Sequence, residues 1–364
     1  MAYITKHAKG YAIRFYATID GVKDQIRLSG FKSEKEAEAA MWKYINQDHA
    51  KNENVTLEDY IKTFYRDYVE NNVSASTARR YKELLFLHTI PELGAIKLCD
   101  LKPARIQKYY TDQMKEYSPT TVLHNHRVLH LAFKYAVAWQ YMTSNPCEAV
   151  KAPRKAKHEI KVLTDDQVEE LLKRVKNEAA YIPIYIAITT GMRLGEILGL
   201  QVNDVDIKES TFYIQHGYKR ENGAMVLKST KTHRSRRPVS MLPGTKEIIK
   251  AYRDEAEAIR EEFKEIKIIS NHFCIWPDGS PILPDYVGRV FKRHARSMRL
   301  DEDITFHNLR HTHATWLLKQ GVHPKVVQER LGHASINTTL DLYSQFIPNL
   351  QRDIISGLNT DIFK

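Results

Sequence analysis

The sequence predicts a multidomain, mainly α protein. A small α+β domain (a three-stranded sheet plus a helix) opens the chain, an all-α domain follows, and a mixed α/β domain fills the C-terminal half. Three observations carry this. The chain has 364 residues, room for two or three domains. Apolar residues recur at period two near the start and at helical spacing from Thr56 to about Met142. Two polar stretches without periodicity, Asn46–Asn54 and Lys151–Lys161, stand where linkers belong. The expected domains are therefore 1–46, 56–150 and 162–364.

In the first domain Tyr11, Ile13, Phe15, Ala17 and Ile19 alternate with Ala12, Arg14, Tyr16 and Thr18, the pattern of a half-buried strand. Asp20-Gly21 is a hairpin turn, and Gln25 to Leu28 returns. Ser33 and Glu36 have capping-box spacing, with Ala37, Ala40, Met41, Tyr44 and Ile45 following as a helix face. Lys6, Lys9, Arg14, Lys23, Arg27 and Lys32 decorate the strands and turns. A sheet with a basic open face suits a DNA major groove, with Arg14, Arg27 and Lys32 as its contacts. The plainer reading is a solvated polar face.

The middle domain reads as four helices. Leu57, Tyr60, Ile61, Phe64, Tyr65 and Tyr68 share one face. Ser76 is the expected cap of a second helix, Pro103 opens a third, and Ser118-Pro119 opens a fourth bearing Val122, Leu123, Val128, Leu129, Leu131, Ala132 and Tyr135. Core packing accounts for those stripes. Between them stand His124, Arg127 and Lys134, and Arg127 is a candidate DNA contact. In the second linker Lys151, Arg154, Lys155, Lys157 and Lys161 face the single acid Glu159. Such a tether follows a phosphate backbone or is merely solvated.

Thr164 and Gln167 form a capping box that opens the last domain. Tyr181 to Thr190 is largely apolar, Gly191 interrupts it, and Arg193 to Leu200 resumes as a helix. Arg193 then lies near a helix N-terminus, which favours anions, with Glu196 one turn on to orient it. Taken alone, the pair also reads as a surface ion pair of little worth. Phe212–His216, Gly223–Lys228 and Arg236–Met241 read as strands. One acid, Glu221, faces seven cations from Lys219 to Arg237. A lysine on a hairpin can protonate a leaving oxygen. Most of these cations, Lys228, Arg234 and Arg236 among them, read as phosphate contacts. Phe306 to Gln320 is a helix on which His307, Arg310 and His311 share a face. Pro324 to Gly332 is the next, leaving His333 in a turn, and Ser335 caps a helix carrying Tyr343.

The formal net charge is +11 and the isoelectric point about 9.3, which favours a polyanionic partner. Cys99, Cys147 and Cys274 lie far apart without metal spacing, and an odd count argues against a disulfide framework. A zinc site at His307 and His311 would need Glu where Asn308 stands. Asp165, Asp166, Asp204 and Asp206 read as helix-start and turn residues rather than as a two-metal cluster. No metal and no cofactor are expected. Nor is a membrane span or signal peptide, so the expected compartment is the cytoplasm. Two arginines to hold a phosphate, two histidines and a late tyrosine to attack it are what a metal-free attack on a phosphodiester would need.

These motifs, in this order, resemble the tyrosine recombinases, the phage integrase family. Thr190-Gly191-Met192-Arg193-Leu194-Gly195-Glu196-Ile197 is similar to the family's first arginine box, and His307-x-Leu309-Arg310-His311 to its second. Leu331-Gly332-His333 and Thr338-Thr339-x-x-x-Tyr343 complete the set. The resemblance is strong from Thr164 to about Phe346, and weaker over Thr56–Val150, which is similar to the helical core-binding domain. Residues 1 to about 46 resemble the arm-binding domains of integrases from phages and conjugative transposons in architecture. The resemblance implies a recombinase-type catalytic domain in which Tyr343 attacks the scissile phosphate, forms a 3′-phosphotyrosyl link and releases a 5′-hydroxyl. Arg193 and Arg310 would grip the non-bridging oxygens. Lys231 would protonate the leaving oxygen, with Lys228 as its near rival. His307 and His333 would assist proton transfer, and Glu196 and His311 would support the site. It further implies core-type and arm-type sites on double-stranded DNA, a tetramer in the synapse, accessory DNA-bending or excision proteins, and a bacterial host cytoplasm with association to the nucleoid. The tail with Ile354, Ile355, Leu358 and Ile362 is expected to dock on a neighbouring protomer. A DNA-binding regulator without catalysis on the same fold is the alternative.

Overall fold

Alternating apolar and polar residues build an antiparallel sheet from β1 (Tyr3–His7), β2 (Gly10–Ile19) and β3 (Val22–Phe31), in the order β1-β2-β3. The computed structural model describes residues 3–7, 10–19, 22–40, 54–154, 160–221, 223–229, 236–265, 270–333, 335–337, 339–340 and 342. By contact, the chain divides into two units, Met1–Lys157 and His158–Lys364. In the sheet Ile13 faces Leu28 and Phe15 faces Ile26 across the β2–β3 ladder. These side chains form a small core with Ala37 of α1, residues 34–40. Register puts Arg14 directly opposite Arg27, both exposed, on the other face of the pleat. The expected capping box is altered: Ser33 Oγ accepts from Glu36 N at 3.2 Å, while Glu36 Oε2 accepts from Lys32 N at 2.8 Å.

The helical part of the same unit has its own core. Its principal helices are α2 (Leu57–Phe64), α3 (Ala75–Lys82), α4 (Pro103–Glu116) and α5 (Pro119–Ala138). Thr56 and Ser118 cap α2 and α5 by accepting from Asp59 N and Thr121 N, each at 3.2 Å. Tyr60, Phe64, Tyr110 and Phe133 are fully buried between them. The second helix starts earlier than expected. Ser74, not Ser76, holds the extended cap position, and its hydroxyl bonds those of Ser76 and Thr77. Arg127, His124 and Lys134 share the exposed face of α5. Cys147 and Cys274 are buried, Cys99 is exposed, and none of the three is in a disulfide.

The second unit begins with α6 (Asp165–Val175), where both halves of the Thr164–Gln167 capping box form. At its centre is α7 (Tyr181–Thr190), whose Ile182, Ile184, Ile186 and Ala187 are buried. A helix apolar nearly all round belongs inside a core. Gly191 ends it at φ +70° in the left-handed region. The helix expected over Arg193–Leu200 shrinks to α8 (Leu194–Ile197), and Gly199 brings the chain hard against a neighbouring strand. A Cβ there would lie 2.9 Å from Tyr218 N.

Four longer strands stand where three were expected. β4 (Val205–Asp206), β5 (Thr211–Ile214) and β8 (Arg237–Ser240) form one sheet in the order β4-β5-β8, and β6 (His216–Glu221) and β7 (Ala224–Ser229) form a separate hairpin. Thus Phe212–His216 is broken at Gln215, and His216 starts the next strand. The helices α9 (Thr245–Phe263), α10 (Pro284–Ser297), α11 (His307–Lys319) and α12 (Pro324–Leu331) follow. Among the described residues no helix is long and apolar enough to cross a membrane.

Candidate active site

The C-terminus of α12 organises the site. A helix end leaves its last carbonyls without intrahelical partners and carries the negative pole of the macrodipole. Here three successive carbonyls accept from three different arginines. Arg330 O accepts from Arg237 Nε at 2.7 Å, Leu331 O from Arg310 Nη2 at 2.7 Å, and Gly332 O from Arg193 Nη2 at 3.3 Å. Each guanidinium arrives from another element: β8, α11, and the turn before α8. Gly332, at φ +69°, ends the helix and turns the chain into His333.

Arg310 is 2% exposed. Its Nη1 donates to Gly191 O at 2.8 Å, so the glycine that ends α7 also fixes this arginine. Burial, and then the charge of Arg193, push its pKa down to about 9, which leaves it a cation at neutral pH. Arg193 differs in keeping 42% of its side chain exposed. Its Nη1 donates to Glu196 Oε1 at 2.7 Å, and its backbone N–H to Glu196 Oε2 at 3.0 Å. Glu196 is buried, so the surface ion pair that the sequence allows is not what forms. Burial alone would raise the Glu196 pKa, but Arg237 and then Arg193 outweigh it and hold the carboxyl below its ordinary value. One carboxylate thus serves two guanidiniums in a cluster of three.

The histidines ring this cationic cluster. His307 and His311 lie one turn apart on α11 with ring centroids 4.9 Å apart, edge to face. His333 Nδ1 lies 2.9 Å from Thr339 Oγ1. His307, open on one side, has its pKa lowered by partial desolvation and by Arg310 and Arg193. Burial and the neighbouring histidine and arginine charges push His311 down to about 4, and burial with Arg310 and Arg193 pushes His333 to about 3. These downward shifts favour the neutral ring, which can accept as well as donate a proton. His311 Nδ1 is buried with no hydrogen-bond partner among the described residues.

Of the expected site residues, the fold brings together Arg193, Glu196, His307, Arg310, His311 and His333. Lys231, Arg234 and Tyr343 lie outside the described residues, as does the tail from 343 to 364. Lys228 lies on β7 opposite Gly217, and its ammonium pairs with Glu221. Arg236 Nη2 donates to Ser229 Oγ at 2.6 Å. Ser335 Oγ accepts from Asn337 N at 3.2 Å, near the expected helix start. Arg14, Arg27, Lys32 and Arg127 are exposed in the other unit. Among the described residues no three His, Cys, Asp or Glu side chains converge on a point that would hold a metal ion.

Sequence reasoning missed three residues: Arg237, Arg330 and His313. Arg330 Nε donates to His313 Nε2 at 3.0 Å, and its Nη atoms to Ser240 O at 3.0 Å and Thr189 O at 3.1 Å. Burial and Arg330 push the His313 pKa down to about 3, keeping the ring an acceptor. Strand phase was the available signal for Arg237. It alternates inward with Val239, while Pro238 and Ser240 face out.

The comparisons agree with this geometry. A sequence model described as the phage integrase family matches residues 161–347, and one described as the phage integrase N-terminal SAM-like domain matches 56–114. A tyrosine recombinase XerC-like protein of Caldanaerobacter subterraneus subsp. tengcongensis is 28% identical over 362 residues, covering 91% of this chain and 90% of that protein. An integrase of transposon Tn1549, solved with circular-intermediate DNA, superposes with a TM-score of 0.69 at 21% identity, over 82% of this chain and 99% of that one. A lambda integrase dimer bound to a core site gives 0.63 at 18% identity, over 94% of each chain. Family match, motif order and the arginine-capped helix end coincide, and the chain belongs to the phage integrase family of tyrosine recombinases.

Proposed function

We propose that this site-specific recombinase cuts and rejoins double-stranded DNA through a phosphotyrosine at Tyr343, integrating or excising a mobile element. The observation that carries the reading is the pair of guanidiniums, Arg193 and Arg310, pinned on adjacent carbonyls of one helix end. Fixed cations aimed at one place are what a phosphorane-like transition state needs, since charge grows there on the non-bridging oxygens. In the reaction the Tyr343 hydroxyl loses its proton and attacks phosphorus, the bond to the 5′ oxygen breaks, and that oxygen takes up a proton. The neutral His307 and His333 serve proton transfer, and Lys231 supplies the proton to the leaving oxygen. The phosphotyrosyl ester keeps the bond's free energy, so rejoining needs no nucleotide cofactor. Removing one such phosphate donor typically costs about 10²–10³-fold in rate.

Residues 1–46 form the arm-site module in this reading, 56–150 the core-site module and 162–364 the catalytic module. Arg14, Arg27 and Lys32 of the first and Arg127 of the second supply phosphate contacts, as do Lys228, Arg234 and Arg236 of the third. Four protomers assemble in the synapse, where the tail after Pro348 docks on a neighbour. The reaction runs in the cytoplasm of a bacterial host.

The test is a nicked duplex carrying the attachment core from the DNA beside the gene. Wild-type protein should become covalently trapped on it in EDTA, and Tyr343→Phe should bind without trapping. Tight binding with no cleavage by wild type would instead favour the regulator.

A further inference from the structure

We propose that Arg237 is a positioning residue for strand cleavage: by holding the Glu196 carboxylate and the Arg330 carbonyl together, it sets the Arg193 guanidinium and the turn that presents His333. The inference rests on the phosphate-gripping role of Arg193 argued above.

Arg237 differs from the cations around it in sequence. Its side chain is 7% exposed, so it does not meet a DNA backbone at the surface. Its Nη2 lies 3.1 Å from Glu196 Oε2 and its Nη1 3.4 Å from Glu196 Oε1, while its Nε reaches Arg330 O at 2.7 Å. Only a planar fork can address a carboxylate and a carbonyl in this way. The guanidinium also fills the space beneath Gly332, where a Cβ would lie 2.9 Å from Nη1 and 3.0 Å from Cζ. One side chain therefore braces both the carboxylate behind Arg193 and the turn before His333.

Sharing explains why a second arginine is useful here. Glu196 Oε1 faces Arg193 Nη1 at 2.7 Å. With Arg237 absent, the whole carboxylate charge would bear on Arg193 and draw its guanidinium inward. With Arg237 present, part of that charge is answered from below, and Arg193 keeps an exposed edge for an incoming phosphate. The buried Arg237 side chain reaches Arg193 through the Glu196 carboxylate and the turn before His333 through the Arg330 carbonyl.

The test uses the full chain and the nicked core duplex, with single-turnover adduct formation at saturating protein and duplex affinity read separately. Arg237→Gln should slow adduct formation on the order of 10–100-fold, as when groups that orient metal ligands are lost, and leave affinity for the duplex nearly unchanged. Arg237→Lys, which keeps the charge but not the fork, should fall between. Combined with Glu196→Gln, the loss should be smaller than the product of the two single losses, because the two side chains share one contact. Wild-type rates in Arg237→Gln, or in Arg237→Lys should only that variant fold, overturn the proposal. So do losses that simply multiply in the double variant. If wild type forms no adduct, or Tyr343→Phe still does, the cleavage reading itself fails and takes this inference with it.

Discussion

Arg310 donates to the Leu331 carbonyl at 2.7 Å, so a guanidinium assigned to a phosphate is already seated on a helix end. That seat explains how three arginines and one carboxylate coexist in a half-closed site. The negative pole of α12 stands in for missing counter-charge, and the guanidiniums are oriented before any substrate arrives. Preorganisation of this kind is where electrostatic catalysis gains most.

Glu196→Gln should be costly for stability as well as rate. The change leaves Arg237 buried without its carboxylate, and breaking a buried pair from one side costs about 3–5 kcal/mol. Arg193 adds little to that figure, since solvent screens its exposed side chain. Urea unfolding should show a lower midpoint at unchanged slope. A shift below about 0.5 kcal/mol, the size of an ordinary surface substitution, would mean that Glu196 is not the hub described.

Gly191→Ala should disable the site through crowding. A Cβ there would lie 2.4 Å from Leu331 Cδ2 and 2.8 Å from His313 Cδ2, beside the carbonyl that holds Arg310. Overpacking costs about 1–3 kcal/mol, added to roughly 1–2 kcal/mol for a left-handed backbone. Gly321→Ala is the control, because φ there is +77° with nothing within 4 Å of the added atom. Thermal melts should rank wild type, Gly321→Ala and Gly191→Ala in falling order. Equal losses at the two glycines would refute the crowding.

Acid should weaken the catalytic unit above the usual carboxylate range. His311 at about 4, and His313 and His333 at about 3, all lie below the ordinary value of about 6.5. The unfolded chain therefore binds more protons than the folded one between these limits, and stability falls as pH falls. The contribution is flat above about pH 7 and declines from about pH 6.5 toward 4. Melting temperature against pH checks this; no change between pH 7 and 5 would contradict the neutral histidines.

Arg14→Ala should separate binding from folding. Arg14 and Arg27 stand directly opposite on one exposed face, and like charges so placed destabilise a sheet by a few tenths of a kcal/mol. Stability should hold or rise slightly, while arm-site affinity falls and the salt slope drops by about 1. Lower stability with unchanged DNA affinity would assign Arg14 to the fold instead.

Much of this molecule was legible in residue order. Period-two alternation found β2, and the Thr164–Gln167 box and the prolines at 103, 119 and 324 placed helix starts to the residue. The arginines and histidines of the site were readable because each motif is local. What escaped was set by tertiary contact. The break at Gln215 and the shortness of α8 accompany a close approach of Gly199 to the Tyr218 backbone, a contact far from either in local pattern. Arg237 was hidden because a basic run reads as solvent-facing, and only its pairing in β8 turns it inward. Arg330 and His313 find each other across 17 residues, a distance that no helical period reports.

The most direct test is to map the covalent bond. Wild-type protein trapped on the nicked core duplex in EDTA is digested with protease and nuclease, and the peptide that retains a nucleotide is sequenced by mass spectrometry. The nucleotide should sit on the phenolic oxygen of Tyr343, and Tyr343→Phe should yield no such peptide. A nucleotide on any other residue, or one that persists in Tyr343→Phe, would contradict the account.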